Sequence, residues 1–198
     1  MQVTKIEKKG KYQYLVFLDE EYAFWLSYKE IYHWHLKEGV EIDEEKYKSI
    51  IKESVIPRCK RKAISYLKRC NQTEYELRTK LKKHDYLTAV IDVTIAYLYQ
   101  CMYLDDYRYA ELFVENNKRS RSQKWMKLKL SQKGISKDVI EELLAENTSE
   151  EIPLRKAIEK KLKGRKIEER KDKEKILAYL FRQGFSMQLS KRLLNEYE

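Results

Sequence analysis

His33-Trp34-His35 is the first place in the chain where side chains able to bind a metal gather. Residues at i and i+2 point to different faces of a helix, and no Cys or acidic residue stands at ligand spacing beside them, so a metal site is not expected. Asp105-Asp106 is a carboxylate pair of the kind that holds Mg²⁺ in nucleases, but no second acidic cluster on an apolar strand accompanies it. Cys59, Cys70 and Cys101 are odd in number and form no CxxC pair. Each falls in an apolar helical pattern, which reads as reduced core thiols of a cytosolic protein. No phosphate-cradling GxxxxGK[ST] loop, nucleophile elbow or HExxH occurs. The expectation is therefore a binding protein, not an enzyme, with no metal and no cofactor.

The chemistry that remains is charge. The segment 118–129 joins two helices and holds Lys118, Arg119, Arg121, Lys124, Lys127 and Lys129 around Trp125. Such cations can neutralise phosphates, and an indole can stack on a base. The plainer reading, a solvated helix start with Trp125 in the core, stands beside it. Arg58, Lys60, Arg61, Lys62 and Arg69 crowd one upstream helix, and Arg78, Lys82 and Lys83 the next. Any one of them could serve solubility alone. Their sum is harder to set aside. Residues 1–56 hold 9 Lys/Arg against 11 Asp/Glu, a net of −2, whereas the rest hold 33 against 21, a net of +12. An acidic partner follows: nucleic acid, an acidic protein surface or anionic lipid. The run from Lys160 to Lys175 mixes Lys, Arg and Glu, and reads as a self-paired solvated helix.

What positions these residues is a mostly helical chain. Charged residues make up 37% of it, and Gly (5) and Pro (2) are scarce. That composition favours helix over sheet and an extended outline over one globule. The start is different. Val3 to Ile6, Tyr12 to Leu18 and Tyr22 to Leu26 are rich in β-formers separated by turns, which predicts a small three-stranded sheet. Ser27, with Glu30 three residues on, caps a short helix through Leu36; Asp43 caps another to about Ile56, and Pro57 starts or kinks the next. No apolar run of signal-peptide type and no stretch approaching 18 apolar residues is present, so no membrane insertion is expected.

From Pro57 a repeat appears. Ala63, Ala110 and Ala157 recur at intervals of 47 residues. Leu81, Leu130 and Leu180 follow, each four residues before a helix stop: Asp85, Gly134 and Gly184. A large apolar residue comes next (Tyr86, Ile135, Phe185), and a third helix then carries Val90, Val139 or Leu189. The stops suit a left-handed C′ residue; Asp85 tolerates that conformation better than most side chains. Ser136 and Ser186 are placed to cap third helices, Thr88 to cap the first unit's, and Asp105 to cap the next unit's first helix. Thr73-Glu74-Tyr75-Glu76 is a capping box. The expected fold is mainly α, with tandem three-helix repeats in an elongated, curved arrangement after a small β-region. Its parts are 1–56, then repeats 57–104, 105–150 and 151–198, the first helix of the third repeat being longer.

This order of motifs resembles the RecX family. The residues that carry the resemblance are Ala63-Ile64-Ser65-Tyr66-Leu67-Lys68-Arg69, Glu76-Leu77-Arg78-Thr79-Lys80-Leu81 and Tyr103-Leu104-Asp105-Asp106-Tyr107-Arg108-Tyr109-Ala110. Leu130-Ser131-Gln132-Lys133-Gly134-Ile135 and Leu180-Phe181-Arg182-Gln183-Gly184-Phe185 complete it. This chain departs from the family pattern at Ser122, at Trp125-Met126 and at Asp85. The resemblance implies a regulator that binds the RecA recombinase, free or as a filament on single-stranded DNA, and inhibits its ATPase and strand exchange. Sequence-independent nucleic-acid contact, a monomer and a cytoplasmic location are expected alongside it. A direct DNA-binding helical protein acting without RecA is the alternative. For Asp105, Asp106, Tyr109, Ala110, Gly134 and Gly184 the expected role is structural.

Overall fold

Runs of β-branched, aromatic and aliphatic residues build the amino-terminal sheet. The computed structural model describes residues 1–146, 149–165, 167 and 169–197. Strands β1 (Val3–Lys9), β2 (Gln13–Leu18) and β3 (Glu21–Leu26) pair antiparallel in the order β1-β2-β3. Val3, Val16, Leu18, Phe24 and Leu26 are buried together with Leu36, Ile42 and Ile50. Helix α1 (Tyr28–His33) opens on the Ser27–Glu30 capping box and stops earlier than expected, with His35 in the left-handed region.

Helix α2 (Glu44–Ile50) starts at Asp43, whose side chain accepts from the Lys46 amide at 2.7 Å. Pro57 does not break the chain that follows. A π-helical turn, Ile51–Val55, carries α2 straight into α3 (Ile56–Leu67), with the Ile56 N–H donating to the Ile51 carbonyl. Pro57 thus stands at the junction of the π turn and the first turn of α3, with helical backbone on both sides.

Helices α3, α4 (Glu74–Lys82) and α5 (Thr88–Gln100) form the first three-helix unit. Helices α6 (Asp106–Asn117), α7 (Gln123–Gln132) and α8 (Lys137–Glu146) form the second. Helices α9 (Glu151–Leu162), α10 (Arg170–Arg182) and α11 (Met187–Leu194) form the third. Two compact bodies result, Met1–Asp105 and Asp106–Glu198.

The same joint closes every second helix. Asp85, Gly134 and Gly184 have φ of +59°, +81° and +89°. The next amide returns to the second-helix leucine: Tyr86 to Leu81 at 3.4 Å, Ile135 to Leu130 at 3.1 Å and Phe185 to Leu180 at 3.1 Å. This is the Schellman closure, and it folds Tyr86, Ile135 and Phe185 back into their cores. In the third helices Ile91, Ile140 and Ser190 are buried more deeply than Val139 and Leu189, one position earlier.

Several expectations are corrected. Thr88 is not a cap; Leu87 occupies that position and supplies no side-chain bond. Ser186 likewise precedes α11 without a capping bond, whereas Ser136 accepts from the Val139 amide at 3.4 Å. The first helix of the third unit is not extended: Lys163 turns left-handed after Leu162. The charged run 160–175 is accordingly split between the end of α9 and the start of α10, and its residues 166 and 168 lie outside the described residues. Of the cysteines only Cys59 is in the core, its thiol pushed up by burial, while Cys70 and Cys101 are exposed.

Candidate nucleic-acid and partner interface

In the first body, part of the basic cluster is spent on holding the sheet. Arg58 lies with its guanidinium 3.7 Å from the centre of the Trp25 ring, donates to Glu30 at 2.5 Å, and also donates to the Trp25 carbonyl. Its side chain is only 13% exposed, so its charge is committed inside the protein. Lys60 lies over the Tyr97 ring at 3.7 Å and Lys62 over Tyr66 at 5.2 Å. Arg78 is held by Glu74 at 2.6 Å and Asp92 at 2.5 Å. Arg61, Arg69, Lys82 and Lys83 are exposed.

Asp85 is the other half of this attachment. Its carboxylate accepts from Lys9 at 2.7 Å and from Gln13 at 3.1 Å, and its carbonyl accepts from the Tyr22 hydroxyl at 2.5 Å. The neighbouring His84 carbonyl accepts from the Trp25 indole at 2.9 Å. The residue that departs from the glycine pattern thus fastens the sheet to the first repeat. Burial pushes the Tyr22 hydroxyl well above its ordinary pKa and Tyr86 up to about 12. His84, whose Nε2 is 2.6 Å from the Tyr66 hydroxyl, is held below the usual histidine range, chiefly by burial and then by Lys62.

The segment 118–129 belongs to the second body. Trp125 is half-buried, stacked on Phe113 at 5.9 Å and 12°, with the Arg121 guanidinium 4.8 Å from its centre. The ring therefore packs within its own repeat. Lys118 pairs with Glu115 at 2.5 Å and Lys127 with Glu141 at 3.0 Å, a contact that lowers the Glu141 pKa. Lys129 donates to Gln132 at 3.3 Å, and the Lys124 ammonium lies 5.7 Å from the centre of the Phe181 ring. Arg119 and Arg121 are exposed, and no ion pair is formed by either among the described residues.

Ser122 was a departure from the family pattern, and its structural role was not legible in the sequence. Its hydroxyl accepts from the Trp125 amide at 3.2 Å, capping α7, and donates to the Gln183 carbonyl at 2.7 Å, joining the third repeat to the second. A Cβ on Gly184 would lie 2.7 Å from the Ser122 Oγ and 3.5 Å from the Trp125 amide nitrogen. The stop glycine is thus also the contact point between repeats. Of the remaining motif residues, Ala110 is fully buried, Tyr109 packs on the second core with Lys133 over its ring at 5.2 Å, and Asp106 opens α6. Among the described residues, no group of three or more His, Cys, Asp or Glu could hold a metal ion, and no helix is long and apolar enough to cross a membrane.

Comparison with known proteins bears on this architecture directly. A model described as the first three-helix domain of RecX matches residues 59–98, and one for the second three-helix domain of RecX matches residues 105–144. A "Regulatory protein RecX" of Clostridium beijerinckii is 31% identical over 201 residues, covering 98% of this chain and 94% of that one. One from a type E Clostridium botulinum is 37% identical over 145 residues, covering 72% and 68%. A crystal structure titled as regulatory protein RecX superposes with a TM-score of 0.66 over 98% of both chains at 24% identity. That of RecX from Lactobacillus salivarius gives 0.62 at 25% identity, over 72% of this chain and 96% of that one.

Proposed function

Because the chain belongs to the RecX family, we propose that it regulates a RecA-type recombinase by binding its filament on single-stranded DNA, inhibiting ATP hydrolysis and strand exchange. The observation that carries this reading is the match to proteins named regulatory protein RecX over nearly the whole chain. The charge partition supports it: net +12 beyond residue 56 provides the field that a DNA-bound filament would attract. Arg61, Arg69, Lys82, Lys83, Arg119, Arg121 and Lys124 are the first candidates for contact, since their charges face solvent. Arg58 and Trp125 fall behind them, being occupied in packing.

The test is RecA ATP hydrolysis on single-stranded DNA, titrated with this protein. The expected result is a fall in rate at well below one protein per RecA, as capping or disassembly of a filament would give. An unchanged rate up to equimolar protein would overturn the reading. The same positive charge favours the second reading, direct DNA binding without RecA, which predicts salt-sensitive duplex binding with sequence preference.

A further inference from the structure

A cleft of about 200 Å³ opens inside the second body where the third repeat meets the second. Arg121 and Ser120 line it from the turn before α7, Lys156 and Lys160 from α9, and Tyr179 and Phe185 from the third repeat's later elements. Three cations thus converge on it, and no carboxylate lines it. Lys156 and Lys160 are i and i+4 on one helix, so they share a face and repel each other. The neighbouring charges of α9 are treated differently. Arg155 is paired with Glu196 at 2.6 Å and Glu151 with Arg192. The cleft-facing lysines form no ion pair among the described residues. Arg121 is held by the Trp125 ring, which fixes the guanidinium without neutralising it. The carboxylate of Glu150, the residue before α9, accepts from the Gln123 amide at the start of α7 at 2.5 Å.

Uncompensated cations at the rim and aromatic carbons in the wall match one nucleotide unit: a phosphate for the cations, a sugar or base edge for the apolar surface. We infer that the cleft between the second and third repeats seats a phosphodiester of single-stranded DNA, an assignment that rests on the reading that this protein works on a DNA-bound filament.

The experiment is fluorescence anisotropy of a labelled oligo-dT strand with the full chain, titrated at several salt concentrations. The double variant Lys156→Ala/Lys160→Ala is compared with Lys171→Ala/Lys175→Ala, which removes the same charge at the same spacing from α10, outside the cleft. Loss of the two cleft contacts is expected to weaken binding about tenfold and to lower the log–log salt slope by about 0.7 per contact. The α10 variant should keep the wild-type slope. Ser120→Met, which narrows the cleft at an exposed turn without altering charge, should weaken binding as well. Equal slopes for the two lysine doubles would overturn the site, as would binding of free dTMP with the affinity of the strand. RecA ATPase inhibition by the wild type is scored separately. Its absence, with a cleft-dependent oligo-dT slope, would sink the filament reading and leave the cleft standing. Inhibition with cleft-independent DNA binding would do the reverse.

Discussion

Two glycines of the second body separate two costs of adding a methyl group. Gly164 and Gly184 both have positive φ, +81° and +89°. Nothing lies within 4 Å of the Cβ position of Gly164, whereas that of Gly184 meets the Ser122 hydroxyl and the start of α7. Gly164→Ala should therefore cost only the left-handed conformation, about 1 kcal/mol, and Gly184→Ala about 2–4 kcal/mol, because the repeat contact must also give way. Urea unfolding of the two variants checks the difference; equal midpoints would refute the docking role of Gly184. His84 supplies a pH prediction. Its folded pKa is lowered, so the unfolded chain binds the proton more readily, and stability is retained above the unfolded value and lost as pH falls below about 6.5. Urea midpoints measured on either side of that pH should fall on acidification, and His84→Gln should reduce the fall.

At the scale of elements, the repeats were readable from the chain because period-3.6 apolar spacing, a stop residue and an apolar residue after it are all local signals. The capping boxes at Ser27 and Thr73 and the three left-handed stops appear as the spacing predicts. What could not be read was which polar side chains face another element. Arg58 and Arg119 look alike in sequence, yet one lies under Trp25 and the other is exposed. The role of Asp85 depends on Lys9 and Gln13, more than seventy residues away. The π turn at Ile51–Val55, which joins α2 to α3 ahead of Pro57, has no local signal in the sequence. Ser122 and Ser136 make the point quantitatively. Ser122 caps the second helix and Ser136 the third helix of the same repeat, but among the described residues only Ser122 also bonds the next repeat. Ser122→Ala should cost about 2 kcal/mol, a cap plus a hydrogen bond, and Ser136→Ala about half of that, in thermal or urea unfolding.

For the molecule as a whole, the boundary at residue 105 divides a chain with separate apolar cores on either side. Val3 to Leu104 supply one cluster, and Ala110 to Leu144 and Leu154 to Leu194 supply two more. Fragments 1–105 and 106–198 are each expected to unfold cooperatively on their own, checked by circular dichroism melting. A non-cooperative melt of either would show that its core needs the other body. The Ser120–Phe185 cleft lies wholly within 106–198, so that fragment should retain the salt-dependent part of oligo-dT binding attributed to Lys156 and Lys160.

The carbonyl left over at the end of a second helix has a consequence for how such chains grow. On the third repeat it is met by a serine of the repeat before; on the first it is met by the indole of a β-strand. In these two repeats the acceptor is the same and the donor differs. The second repeat, with Ser122 at the head of its second helix and Gly134 at the foot, has the residue types of both halves of the joint. At the first repeat an aspartate stands in place of the glycine, and its carboxylate adds Lys9 and Gln13 to the hold that the two carbonyls already give the sheet.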